Sequence, residues 1–324
     1  HSIILEDLID IHNIYQAYEM DPPVSLLSII ENMFHWLEVM THPDRRISFF
    51  NDAAFGIAPS IDDLSKYIER SFKKTSGRSS KIGNPLVTFH SSGFSSVRNY
   101  DYHAIIDHGE TGPNYLGGHS HADTLSFELS LFGHRVIVNS GTSLYQNHSS
   151  EERDINLRHH QRSTCMHSTL ELDDLNSSEV WSEFRLARRA RILDFKSKHS
   201  ENQINIVAIH DGYKRLPGNP IHNREWQFSS RSLMITDDII GKYKHSIKLN
   251  FPLHPDVEIK YIKGNVIFLE FHGHKLRFII ANFQDIEIKK SNFYPEFGLS
   301  IENKKLVLSS DACLPAKIIT KVEW

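Results

Sequence analysis

The chain has 324 residues, 36 Lys plus Arg against 40 Asp plus Glu, a formal charge of -4, and 40% hydrophobic and 23% charged residues. That balance belongs to a folded globular protein and excludes disorder, a collagen-like repeat and the basic excess of a dedicated nucleic-acid binder. No apolar run approaches the roughly 20 residues that span a bilayer, and Cys165 and Cys313 alone make neither a disulfide framework nor a Cys-rich zinc site.

The start, His1-Ser2-Ile3-Ile4-Leu5-Glu6, has no initiator Met and no signal-peptide pattern, so residue 1 reads as lying downstream of the natural start. Residues 1 to about 72 read as helical. Leu26, Leu27, Ile30, Met33, Phe34, Leu37 and Met40 recur at three- and four-residue spacing after Pro22-Pro23, and Pro43-Asp44 end that helix. A second helix is expected over 61–72, with Ser60 as N-cap and Asp62 and Asp63 in the first turn. Helices of this size bury little core alone and read as the end of a larger helical domain.

Residues 73–85 turn to Lys, Ser, Gly and Asn, the composition of a linker. Beyond them Leu125, Phe127, Leu129 and Leu131 alternate with Ser126, Glu128 and Ser130, and Gly133-His134-Arg135 turns into Val136-Ile137-Val138. Further strands are expected over 168–172, 180–195, 204–210, 226–236, 245–251, 257–262, 266–271, 276–281 and 306–309. Sequential strands without intervening helices mean antiparallel sheets. The expected fold is mainly β: a helical segment over 1–80 followed by a large antiparallel β-sandwich over 81–324.

The chain holds 21 His, and the segment Gly117-Gly118-His119-Ser120-His121-Ala122-Asp123 concentrates them usefully. Two His at i and i+2 on extended backbone point to one side and are able to face one ion or substrate. Asn139 closes the apolar run before it and His167 precedes a strand, so adjacent strands are able to bring His121, Asn139 and His167 together. Zinc prefers about four His, Cys or carboxylate ligands, and Asn is a poor one. The same segment also reads as the HxHxD part of a metal-dependent hydrolase signature, with Thr124 where that signature has His.

Several blocks, in order from about residue 36 to 254, resemble the heparinase II/III-like polysaccharide lyases. They are His42-Pro-Asp44 with Phe50-Asn-Asp52-Ala53, Gly118-His-Ser-His121-Ala-Asp123, Leu125-Ser-Phe-Glu-Leu129 and Val138-Asn-Ser-Gly141-Thr142. Arg162-Ser-Thr-Cys-Met-His167-Ser-Thr169, Ser178-Glu-Val-Trp181-Ser-Glu-Phe-Arg185 and His210-Asp-Gly-Tyr213-Lys-Arg-Leu216 complete the set. The resemblance implies an N-terminal α/α toroid, of which this chain holds the last helices, followed by antiparallel β-sheets. It implies β-elimination on a uronate-containing acidic polysaccharide, in a periplasmic or secreted setting. The family's catalytic His maps to His119, its catalytic Tyr to Tyr145, and the ligands of its zinc-containing members to His121, Asn139 and His167. Asn139 stands where metal-binding members carry Asp, which lowers the charge of a divalent-metal site. Arg162 is expected to grip a substrate carboxylate, and Arg185 and Arg189, with Arg191, to share a strand face suited to a polyanion. The family's remaining catalytic groups come from the upstream toroid domain. A glycan-binding or structural module without catalysis is the alternative from another class.

Overall fold

In a computed structural model of the protein, residues 1–72, 84–146 and 156–324 are described, and the statements below concern these. The chain opens with α1 (Ser2–Ala17), α2 (Leu26–Val39) and α3 (Ile61–Phe72), whose apolar faces meet through Leu5, Ile9, Leu26, Ile30, Leu37, Ile61 and Leu64. Ser60 caps α3 as expected, its hydroxyl accepting from the Asp63 N–H at 3.2 Å. Most of the expected linker and the 80/81 boundary lie outside the described residues.

Nineteen strands follow among the described residues: β1 (Leu86–Phe89), β2 (Phe94–Arg98), β3 (Tyr102–Asp107), β4 (Phe127–Leu131) and β5 (His134–Ile137) form one antiparallel meander. After a short helix, α4 (Leu157–Gln161), come β6 (Leu170–Leu172) and a small hairpin of β7 (Glu179–Trp181) and β8 (Arg185–Ala187). The rest are β9 (Ile192–Ser200), β10 (Gln203–His210), β11 (Ile221–Phe228), β12 (Ser232–Ile240), β13 (Lys244–Pro252), β14 (Glu258–Lys263), β15 (Val266–Phe271), β16 (His274–Ala281), β17 (Asp285–Phe293), β18 (Ile301–Cys313) and β19 (Ala316–Glu323). An eight-stranded sheet runs β14-β15-β16-β19-β12-β11-β10-β9, and a four-stranded sheet runs β17-β18-β13-β6. A bridge between Ile137 and Leu253 joins the meander to the four-stranded sheet. Their inward faces, from Phe127 and Leu129 to Leu249 and Phe251, share one core with Trp226, Phe228 and Phe278 of the eight-stranded sheet. The architecture is the expected mainly β sandwich behind a short helical segment.

Two expectations change. Residues 180–195 are not one strand: Ser182 at φ 56° and Arg188 at φ 35° break the run into β7, β8 and the start of β9. Residues 226–236 are not one strand either, since 229–231 bend the chain between the end of β11 and the start of β12. At β4 the polar residues that alternate with the apolar ones, Ser126, Glu128 and Ser130, are buried as well, because the helical segment covers that side. Glu128 accepts from His42 Nε2 at 2.9 Å, Phe49 N–H at 3.1 Å and Asn139 N–H at 2.9 Å, so one buried carboxylate ties the helical segment to the sheet. Met40 and Phe50 pack on Ile105 of β3 beside it.

Candidate active site

The site forms where the segment after α2 crosses the β domain. Asn51, at φ 56°, turns the backbone so that Asp52 points beneath the irregular 117–124 loop. His119 and His121, two residues apart, do face one group, and that group is the Asp52 carboxylate. His119 Nδ1 lies 2.8 Å from Oδ2 and His121 Nε2 lies 2.9 Å from Oδ1. Their surroundings differ: the His119 side chain is 62% exposed and that of His121 is 1% exposed.

Arg158 of α4 completes the hub. Its guanidinium is fully buried and donates through two N–H groups to both Asp52 oxygens, with Nη2 at 2.6 Å from Oδ2, and Thr142 Oγ1 adds a contact at 3.4 Å. Burial alone would favour a neutral Asp52. The hydrogen bonds and charges of His121 and Arg158 outweigh it and hold the carboxyl well below its ordinary range. Sequence reading noted Asp52 within a family block but gave it no role, and it took Arg162 from the 157–162 segment while passing over Arg158, one turn earlier.

Tyr145 stands at the mouth. Its ring lies 5.7 Å from that of His119, 5.3 Å from the Arg158 guanidinium carbon, and edge-on to Phe184 and Phe297. The rings of Tyr145, Phe184 and Phe297, with Ser143, Leu144 and Gln146, line a cleft of about 490 Å³. Burial, and secondarily Asp52, raise the Tyr145 pKa above its ordinary value, so its hydroxyl keeps its proton at neutral pH.

His121 and His167 also meet, with Nδ1 of the first 3.1 Å from Nε2 of the second, and Ser163 O accepts from His167 Nδ1 at 2.8 Å. Burial pushes His121 below its ordinary pKa while Asp52 pulls the other way, and burial pushes His167 well below. Asn139 is buried beside the β4–β5 hairpin, its amide engaged with Ser126 Oγ and the Ser168 N–H at 3.4 Å each. Among the described residues, no three His, Cys, Asp or Glu side chains group as a metal site. Two imidazoles and a neutral amide already engaged by two neighbours fall short of the roughly four His, Cys or carboxylate ligands that a zinc ion takes. Asp123, the acidic member of the HxHxD segment, accepts from backbone N–H groups, and its buried carboxyl is raised to about 7, chiefly by burial.

The expected arginines disperse. Arg162 is fully buried: Nε and Nη2 donate to Ser120 O at 3.0 and 2.9 Å, and Nη1 donates to Ser182 O and Glu183 O at 3.2 and 2.8 Å. A guanidinium committed to interior carbonyls has little to offer a ligand, so Arg162 braces the His119 loop and β7–β8 hairpin instead of facing the cleft. The left-handed turn at Arg188 spoils the alternation that was to align Arg185 with Arg189. Arg185 lies 4.9 Å over the Trp181 ring, while Arg189 donates to Pro113 O at 2.6 Å. A Cβ on Gly117 would come within 3.1 Å of the Arg189 guanidinium, so the loop backbone and this side chain lie close together.

Buried neutral histidines set an acid limit on stability. Burial holds His42, His103, His167 and His210 well below the ordinary imidazole value of 6.5. With folded pKa values depressed, the unfolded chain binds more protons below pH 6.5, so stability is complete above that pH and lost as pH falls beneath it. Each such histidine contributes a slope of about 1.4 kcal/mol per pH unit. Denaturant midpoints measured from pH 7.5 to 5 are expected to drop steeply, and a flat profile would contradict this assignment.

Comparison with known proteins follows the same outline. A family profile described as Heparinase II/III-like, C-terminal, matches residues 81–322. The heparin-sulfate lyase of Bacteroides stercoris is 25% identical over 259 residues, or 76% of this chain and 36% of that protein. Heparan sulfate lyase HepC from Pedobacter heparinus matches with a TM-score of 0.79 and 18% identity over 100% of this chain and 51% of its own. A heparinase III structure matches with a TM-score of 0.74 and 16% identity, over 98% of this chain and 53% of its own. At such identities the two structures speak for the fold alone. This chain spans about a third of the curated relative and half of each solved one.

Proposed function

This chain belongs to the heparinase II/III-like family, whose C-terminal domain it carries, and on that premise we propose that it supplies the β-domain half of a polysaccharide lyase active site. The substrate is a uronate-containing acidic polysaccharide and the reaction is β-elimination. One observation carries the reading: the exposed His119 ring stands 5.7 Å from the ring of Tyr145, and both meet the buried Asp52–Arg158 pair, His119 Nδ1 at 2.8 Å from Asp52 Oδ2 and the Tyr145 ring at 5.3 Å from the Arg158 guanidinium carbon.

The chemistry divides between them. Asp52 accepts from His119 Nδ1, which fixes the tautomer and leaves the lone pair on Nε2 of a side chain that is 62% exposed. That nitrogen removes the C5 proton of the uronate. Tyr145 keeps its proton at neutral pH and gives it to the departing glycosidic oxygen as the C4–O bond breaks. A double bond forms between C4 and C5, and no water is consumed. The groups that neutralise the uronate carboxylate belong to the upstream toroid domain, because Arg158 and Arg162 are spent on interior partners. Exposed Ile3, Ile4, Ile11 and Ile14 on α1, and Leu27 and Ile29 on α2, offer preceding helices an apolar surface.

No helix among the described residues is long and apolar enough to cross a membrane. A polymeric substrate too large to enter a cell points to a periplasmic or secreted setting. The Asn139 amide, engaged where the family's metal-binding members carry an acid, favours a second reading, a glycan-binding module without turnover.

The deciding experiment uses the full-length parent against a panel of acidic polysaccharides, following the ultraviolet absorbance of unsaturated uronate. A rise supports the lyase; retention of a polysaccharide without any rise supports the binding module. Tyr145→Phe removes only the hydroxyl and is expected to lower kcat by about 10²-fold or more with KM little changed. Full turnover in that variant would remove Tyr145 from the mechanism.

A further inference from the structure

A second concavity lies on the outer face of the eight-stranded sheet, formed by strands that share no residue with the Tyr145 cleft. It measures about 450 Å³, inside the range of small-ligand sites. Cross-strand register builds it in rows. Tyr261 of β14 pairs with Phe268 of β15, Phe268 with Arg277 of β16, and Arg277 with Glu323 of β19. One line across four strands therefore reads aromatic, aromatic, cation, carboxylate.

The aromatic half depends on an irregularity. The β14–β15 ladder shifts register between Ile259 and Tyr261, so that Tyr261 instead of Lys260 stands opposite Phe268. A bulge that re-aims one side chain is a feature an edge strand keeps for a use. Here it stacks the Tyr261 and Phe268 rings at 4.4 Å and 22°, while Tyr261 stays 56% exposed. The polar half is held in place by ion pairs. Arg277 Nη2 lies 2.6 Å from Glu323, and Lys260 Nζ lies 2.5 Å from Glu258 and 3.6 Å from Glu270. Lys275, exposed in the next row opposite Glu270, adds a further cation.

We propose that this face is a second saccharide-binding surface, gripping the acidic polysaccharide away from the cleavage site. The apolar face of a sugar ring lies on the Tyr261–Phe268 platform. Its hydroxyls meet the fixed Arg277 and Glu323 groups, and Lys260 and Lys275 draw the carboxylates or sulfates of the chain. Counted with their ion-pair partners, the cations Lys260, Lys275, Arg277 and Lys321 stand against the carboxylates Glu258, Glu270 and Glu323, an excess of one cation that suits an anionic ligand. The identity of the ligand rests on the proposed substrate class; the surface itself is read from the register and the rings.

The test separates the two claims by measuring binding without turnover. Full-length parent carrying His119→Ala is run through native affinity gels containing each polysaccharide of the panel, beside the same protein with Tyr261→Ala and, separately, with Lys275→Glu. Each added change is expected to weaken retention by at least one polysaccharide about fivefold, with the melting temperature unchanged. Lys275→Glu touches only an exposed side chain, so its result stands even if Tyr261→Ala loosens the edge strand. Unchanged retention across the panel in the Lys275→Glu protein would overturn the proposal, whether or not the unmutated parent shows lyase activity. A fall in sedimenting mass in either variant would overturn it too, by making the face a contact between copies of the chain.

Discussion

Alanine at position 119 in the full-length parent lowers lyase turnover by about 10²–10⁴-fold and leaves the unfolding free energy within about 0.5 kcal/mol. The two halves of that expectation have separate causes. His119 is 62% exposed and makes one side-chain hydrogen bond, to Asp52, so little packing is lost. Its Nε2 carries the free lone pair, so the proton-abstracting group goes with it. Ultraviolet absorbance against time gives the first quantity and denaturant unfolding the second. Near-full turnover would send the base elsewhere, and a large loss of stability would make His119 a structural residue.

Asp52→Asn is expected to do the opposite on stability and the same on rate. Asp52 is 4% exposed and accepts from His119, His121, Thr142 and Arg158. An amide there leaves the fully buried Arg158 guanidinium without its counter-charge, and breaking a buried pair from one side costs about 3–5 kcal/mol. Turnover falls as well, because an amide NH₂ presented to His119 Nδ1 favours the tautomer whose proton sits on Nε2. The pH dependence carries a further sign. The folded carboxyl is held below its unfolded value, so its contribution is present above about pH 4 and is lost as pH falls further. The variant is therefore expected to lack that part of the acid limb, while the limb beneath pH 6.5 from the buried histidines stays. Denaturant titrations of both proteins across pH 3–7 make the comparison.

Much of this fold was legible because its periods are regular. The 61–72 helix matches α3 end for end, and the alternation through 204–210, 266–271 and 276–281 falls within β10, β15 and β16. The β1–β3 meander was not picked out: β3 is buried on both faces and reads Tyr-His-Ala-Ile-Ile-Asp, with no alternation to follow. The 180–195 run misled because positive φ at Ser182 and Arg188, neither a glycine, leaves no mark in the sequence. In the site, His119, His121 and His167 were legible through motif spacing, and the pair at 121 and 167 does meet. Asp52 and Arg158 were not assigned because they lie 106 positions apart and only the folded chain brings them together. Arg162 misled for the same reason: spacing names a cation, and burial decides whether it faces a ligand or a carbonyl.

Asp52 reaches His119, His121 and Arg158 from the segment that follows α2, ahead of the composition change at residue 73. The boundary that chain order suggests and the boundary of the working unit are thus different lines. A chimera that joins a foreign toroid at residue 80 removes the carboxylate that orders three β-domain side chains, and strips Glu128 of its His42 and Phe49 partners. A junction placed before His42 keeps both carboxylates with the groups they serve. Recombination between relatives, natural or engineered, is expected to succeed at the earlier seam and to fail at the later one.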